Sequence, residues 1–153
     1  MIERYAQIVD KFPVWRIEYG LGETDTAGWQ NLTDRLADCV QLVGDDNFVT
    51  DPNLIAAAVA AGIGNAALIK VNQIGTVSET LEALRVCRQS GYAAMISHRS
   101  GETDDTLIAD LALGSGCGQI KSGAPARGEC VAKDSRLLEI AASEPNQPFG
   151  LTG

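Results

Sequence analysis

SHRSGETDDTLIADLALGSGCGQIKSGAP, Ser97–Pro125, sets the pattern that the rest of the chain repeats. The sole histidine, His98, stands beside Arg99 and between Ser97 and Ser100. It follows an apolar run, Ala93–Ser97, that reads as a strand bounded on its other side by Gly91. Leu107, Ile108 and Leu111 then share one side of a helix that Thr103 or Asp104 is suited to cap, and Gln119–Lys121 forms a very short strand ending in a lysine. A charged residue placed where an apolar strand stops is a feature to look for elsewhere.

It recurs on both sides. Ile2, Tyr5, Ile8 and Val9 have helical spacing before Pro13, and Val14–Glu18 reads as a strand ending in an acid. Trp29, Leu32 and Leu36 mark a second helix, and Val40–Val43 is a strand running into Gly44-Asp45-Asp46. Asp51-Pro52 signals a helix start, the alanine-rich Leu54–Ala61 continues it, and Gly62 is placed to stop it. Ala66–Val71 reads as a buried strand carrying Lys70 near its end. Thr76 and Glu79 have capping-box spacing, with Val77, Leu81 and Leu84 giving the next helix its apolar face. A last helix takes Arg127 to about Ser143, and residues 145–153 read as a flexible tail.

Strands and helices thus alternate five times through short loops, which implies right-handed βαβ units and a parallel sheet. Periodicity leaves two architectures open: a small open α/β fold, or most of an eight-fold barrel without its first part. In either, a ligand sits at the carboxyl edge of the strands. There the chain places Glu18, Asp45, Lys70, His98 with Arg99 and Ser100, and Lys121. Five strands ending in ionisable groups would close a core badly, so they suggest a site.

With 153 residues, the chain is long enough for one hydrophobic core. A net charge of −8 argues against a nonspecific nucleic-acid or anionic-membrane binder, since long-range repulsion opposes both. Cys39, Cys87, Cys117 and Cys130 are scattered without a C-x-x-C pair, so no zinc or redox motif is readable. Met1–Phe12 is amphipathic rather than signal-like, and no apolar segment approaches the roughly 18 residues of a membrane span. A reduced, cytoplasmic protein is expected.

The chemistry of the strand ends is specific in kind. Glu18 and Asp45 offer hard oxygen ligands of the sort magnesium takes, though either acid also suits the N-terminus of the helix after it. Asp46 is the weaker metal candidate, because adjacent strand residues point to opposite faces. Lys70 follows Leu68-Ile69, and burial of its head would favour the neutral amine that a general base requires. A lysine at a strand end is also an ordinary solvated boundary residue, so the pairing of Lys70 with Lys121 is the more informative observation. Arg99 and Ser100 have the fork and hydroxyl that grip a phosphate. The glycines at 114, 116 and 118 follow a helix, not a strand, and make no dinucleotide fingerprint.

VQLVGDDNFVT (40–50), IKVNQIGTVSET (69–80), SHRSGETDDTLIADLA (97–112) and GQIKSGAPAR (118–127) together resemble the carboxyl-terminal part of enolase, the phosphopyruvate hydratase of glycolysis. The resemblance runs from about Met1 to about Ile140 and implies a partial (β/α)8 barrel of about five consecutive parallel βα units over residues 1–144. It implies a magnesium-dependent lyase acting between 2-phosphoglycerate and phosphoenolpyruvate. Glu18 and Asp45 match two of three magnesium carboxylates, and Lys70 the base that removes the C2 proton. Lys121 matches the lysine supporting the substrate carboxylate, Arg99 and Ser100 match phosphate contacts, and His98 lines the same pocket. In the family the proton donor, the third carboxylate, the closing loops and an amino-terminal domain precede the matched part. The resemblance therefore implies a fragment that works with a separate amino-terminal enolase piece. The alternative is an inactive module, self-associating or binding through a homo-oligomer. Local departures are Tyr19 where the family has an aspartate, Thr24–Thr26 in place of part of an acidic loop, Cys130 where arginine is usual, and Asp134-Ser135-Arg136 in place of a tyrosine-containing segment.

Overall fold

The computed structural model describes residues 1–150, in which helices and strands alternate except for two successive helices after the third strand. Two compact units divide there, residues 1–93 and 94–150. The first holds α1 (Ile2–Lys11), β1 (Arg16–Glu18), α2 (Thr26–Leu36), β2 (Gln41–Gly44), α3 (Pro52–Ala61), β3 (Ala66–Ile69), the single turn α4 (Val71–Ile74) and α5 (Val77–Ser90). β4 (Ala93–Ser97) lies almost wholly in the second, with α6 (Leu107–Ser115), β5 (Ile120–Lys121) and α7 (Gly128–Ser143). The expected five consecutive parallel βα units are present: β1 pairs with β2, β2 with β3, and β4 with β5, all parallel.

Local sequence explains most boundaries. Asp51 accepts the Asn53 N–H at 2.7 Å, Pro52 occupies the first turn of α3, and Gly62 ends it at φ +67°. At α5 the Thr76 hydroxyl accepts the Glu79 N–H at 3.1 Å and donates to Glu79 Oε2 at 2.6 Å, and Gly91 closes the helix at φ +73°. β1 begins two residues later than the run Val14–Glu18 and ends with it at Glu18, where Tyr19 at φ +55° leaves the extended region.

Three readings are corrected. β3 stops at Ile69, and Lys70 becomes the N-cap of α4, an unexpected turn. The buried side of α5 is Thr80, Ala83, Leu84 and Cys87, whereas Val77 and Leu81 are 45% and 50% exposed. The helix turns its small residues inward, where a fully buried β3 leaves space for Ala and Cys. Neither Thr103 nor Asp104 caps α6: Asp105 Oδ1 accepts the Leu107 N–H at 2.8 Å, and the buried residues are Ala109 and Ala112.

The core of the first unit gathers Ala6, Trp29, Leu32, Leu36, Val40 and Leu42, with Ile2, Tyr5 and Val9 of α1 packed against it. Two side chains of this core also shape the loop after β1: Tyr5 OH donates to the Gly20 carbonyl at 2.9 Å and Trp29 Nε1 to the Gly22 carbonyl at 3.1 Å. A Cβ at Gly20 would lie 2.8 Å from Leu32 Cδ2, so a larger residue there would push that buried side chain aside.

Candidate functional site

In the first unit, strand register brings the candidates to one face. Glu18 stands opposite Val43, and Val43 opposite Ala66. Because side chains alternate, Asp45 shares the face of Val43, and Leu68 and Lys70 share that of Ala66. Glu18, at the end of β1, and Asp45 and Lys70, one residue past the ends of β2 and β3, therefore lie on the same side, each about two residues further along than its neighbour. Such stagger between neighbours is the geometry of barrel sheets.

Asp45 and Lys70 meet. Lys70 Nζ donates to Asp45 Oδ1 at 2.5 Å and to Oδ2 at 2.7 Å, with the two side chains 11% and 2% exposed. The loop after β2 presents the carboxylate. The Phe48 and Val49 N–H groups both donate to the Asp45 carbonyl, at 2.9 and 2.8 Å, turning the chain back at once. Phe48, 1% exposed, lies so close beneath Gly44 that a Cβ there would be 2.3 Å from its ring.

The loop also contributes a residue that the sequence did not single out. Thr50 is fully buried, donates through Oγ1 to Gln73 Oε1 at 2.9 Å, and accepts the Lys70 backbone N–H at 3.0 Å. It sits at φ +61°, next to Val49 at φ +43°. Left-handed backbone at two successive β-branched residues costs on the order of 1–3 kcal/mol each, and it persists only where surrounding contacts dictate it. Its one sequence signal is the unusual run Phe48-Val49-Thr50 directly before the Asp51-Pro52 helix start.

Asp46, just past the end of β2, is exposed. Its Oδ2 accepts the Tyr19 hydroxyl at 3.0 Å. Desolvation first, then hydrogen bonds to Asp45 and Asp46, push the Tyr19 phenol well above its ordinary range, so it remains a donor. Tyr19 thereby joins the ends of β1 and β2.

The donors suit magnesium in kind. A buried carboxylate, Asp45, already has its charge met by a cation, and Glu18 adds a second hard oxygen donor on the same face. Two protein carboxylates, with water and substrate oxygens completing the shell, is a usual arrangement for this ion. Among the described residues no group of three or more His, Cys, Asp or Glu side chains is gathered closely enough to hold a metal.

In the second unit, Ser97 pairs with Lys121, which puts the two on one face, and the His98 N–H continues the ladder to the Lys121 carbonyl at 2.9 Å. His98 and Arg99 are half-buried and Ser100 is exposed, all in the loop leaving β4. Gly123, at φ +86°, lies against His98: a Cβ would be 2.8 Å from both His98 Cε1 and Cys130 Sγ. The Arg99 N–H donates to Glu102 Oε1 at 2.7 Å, and Ser122 Oγ donates to Asp134 Oδ1 at 2.8 Å. Glu102, Ser122 and Asp134 are supporting residues that no spacing in the sequence marked.

Comparison with known proteins gives this arrangement a lineage. The family model of the enolase C-terminal TIM barrel domain matches residues 1–146. The enolase of Rubrobacter xylanophilus is 53% identical over 143 residues, covering 94% of this chain and 33% of that protein. The enolase of Legionella pneumophila strain Paris is 54% identical over 140 residues, covering 92% and 33%. The chain thus spans about a third of the length of the curated relatives it matches. With parallel βα units, a staggered acid-acid-lysine row and a match over nearly all of its length, the chain belongs to the enolase family, within that family's C-terminal TIM barrel domain.

Proposed function

We propose that residues 1–144 form the carboxyl-terminal barrel part of an enolase, a magnesium-dependent lyase that interconverts 2-phosphoglycerate and phosphoenolpyruvate in the cytoplasm. The observation that carries this reading is the buried Asp45–Lys70 pair, aligned by register with Glu18. In this reading Glu18 and Asp45 hold the magnesium. When bound, that ion supplies electrostatic stabilisation of the charge developing on the substrate carboxylate.

The residues of the chain divide the remaining work. Lys70 accepts the C2 proton at Nζ, leaving the electron pair to delocalise into the adjacent carboxylate as an ene-diolate. Sites of this superfamily are themselves a standard example of a lysine or histidine base with magnesium. In the structure Nζ donates to both oxygens of Asp45, so to act as the base Lys70 has to give up a proton and turn its free lone pair from the carboxylate toward C2. Each oxygen of Asp45 keeps a second lone pair beside the one that accepts from Lys70, and those are the sites that would face a metal ion. Lys121 supports the substrate carboxylate, Arg99 and Ser100 hold the phosphate, and His98 lines the pocket beside them. Departure of the C3 hydroxide takes a proton from a general acid that none of these residues supplies. For that reason the reading includes an amino-terminal enolase piece as partner. The four free cysteines fit a reducing compartment, and no helix among the described residues is long and apolar enough to cross a membrane.

The test is the rise in absorbance as 2-phosphoglycerate becomes phosphoenolpyruvate, with magnesium, for the chain alone and mixed with the amino-terminal two-thirds of an enolase. Turnover in the mixture that vanishes in Lys70→Ala supports the assignment, and no gain on mixing overturns the complementation reading. A second reading is an inactive, self-associating module, favoured by Phe12 and Trp15, which lie just before β1 and stand 54% and 64% exposed. Sedimentation separates the two, because a monomer at all concentrations is incompatible with self-association.

A further inference from the structure

Lys133, on the second turn of α7, is 1% exposed and has no part in the chemistry proposed above. A lysine so buried needs compensation, because an ammonium taken out of water without a partner is costly. Lys133 Nζ donates to the Thr103 carbonyl at 2.5 Å and stands 3.2 Å from Glu102 Oε2. The other oxygen of that carboxylate, Oε1, accepts the Arg99 backbone N–H at 2.7 Å. A charge on a helix is thus linked through one side chain to the backbone of the loop carrying Arg99 and Ser100.

Residues 98–106 contain no helix or strand, and Ser100, Gly101, Thr103, Asp104 and Asp105 are exposed. A guanidinium recognises an oxyanion bidentately only if its backbone starts from a set place. Charge matters as well as position. Glu102 lies three residues from Arg99, and a carboxylate not held by Lys133 would be free to take the guanidinium for itself and to repel an incoming anion.

We propose that Lys133 is a positioning residue for the anion-binding loop, fixing Glu102 and through it the backbone of Arg99, while neutralising a carboxylate beside the phosphate site. The inference rests on the phosphate role proposed for Arg99 and Ser100, so the experiment has two arms. The first is amide hydrogen exchange on the intact chain, comparing wild type with Lys133→Met, a neutral replacement of similar length. Exchange at Arg99 accelerates about tenfold or more, while β4 and the rest of α7 keep their protection, as expected for a local opening. Uniform acceleration through α7, or no change at Arg99, overturns the proposal. Glu102→Gln serves as the second background: the effect of Lys133→Met on the Arg99 amide disappears there, because both act through one carboxylate. Additive effects would mean that Glu102 is not the link.

The second arm is calorimetric binding of 2-phosphoglycerate and of inorganic phosphate. Wild type binds, and Lys133→Met weakens both about tenfold, within the range that a small misplacement costs an oriented site. Unchanged affinity despite a loosened Arg99 amide overturns the link to anion binding. A wild-type chain that binds neither anion removes the phosphate role of Arg99 and Ser100, and the exchange arm still decides whether Lys133 holds the loop.

Discussion

Lys70 and Asp45 are each buried at the other's expense, and this mutual dependence governs what a single substitution does. Asp45→Asn leaves an ammonium in a site that is 11% exposed, and breaking one side of such a pair costs about 3–5 kcal/mol. The chain is therefore expected to lose much of its urea resistance in Asp45→Asn, and to recover part of it in Asp45→Asn/Lys70→Met, which removes both charges. A double variant no more stable than the single one would show that the pair is not mutually compensating. Thr50→Val keeps the size of the side chain but strips the Lys70 N–H of its acceptor, an expected loss of about 1–3 kcal/mol that Thr50→Ser largely avoids. Cys87 gives a pH signature. Burial pushes its thiol from 9.0 up to about 11, so the folded state binds the proton more tightly than the unfolded one. Its contribution is complete below pH 9 and disappears as pH rises toward 11, a loss of about 3 kcal/mol. Denaturation midpoints against pH should fall across that interval in wild type and stay flatter in Cys87→Ala. At this scale the sequence was partly readable. Glu18, Asp45 and Lys70 stood out because charge interrupts apolar runs. Thr50, Glu102, Ser122 and Lys133 did not, since a hydroxyl or charge that serves a backbone group has no spacing of its own.

Helices and strands were legible wherever a local chemical rule set their ends. Asp51-Pro52, Thr76 with Glu79, Gly62 and Gly91 all act as their residue types suggest. Thr76→Ala should consequently cost about 1 kcal/mol, visible as a lower thermal midpoint. The misreadings share a different origin. Val77, Leu81 and Leu107 are large and apolar, yet they are 45%, 50% and 46% exposed, while Ala83, Ala109 and Ala112 are buried. Helix faces against a tightly packed sheet are chosen by volume as much as by hydrophobicity, so a search for large apolar residues finds the buried side at Leu84 and misses it at Val77, Leu81 and Leu107. Gly44 shows the same constraint within a strand. Its hydrogen faces the Phe48 ring, so Gly44→Ala forces that ring to move, at an expected cost of about 1–3 kcal/mol or more in chemical denaturation. If Gly44→Ala proves neutral, Phe48 is not packed as described.

For the molecule as a whole, the five-fold alternation of strand and helix was readable because each strand is short, apolar and punctuated by glycine or a charged residue. What periodicity left open, barrel or open sheet, was answered by family membership, since both architectures use the same βα unit. A chain with a net charge of −8 also has a global response to cations. Magnesium bound at Glu18 and Asp45 should raise the thermal midpoint by binding the folded state alone, worth about 1.4 kcal/mol at ten times its dissociation constant. Calcium or sodium at equal ionic strength controls for screening, and a midpoint that rises equally in Asp45→Asn would place the effect elsewhere. The register of β1, β2 and β3 carries a last consequence. Glu18, Asp45 and Lys70 share a face because each strand advances two residues on its neighbour, and side chains alternate with period two. Their chemistry therefore obeys a parity rule: an insertion or deletion of one residue inside β2 or β3 would turn an acid or a lysine toward the helices, whereas two would only shift its height. Inside the strands only even steps keep the three groups in company.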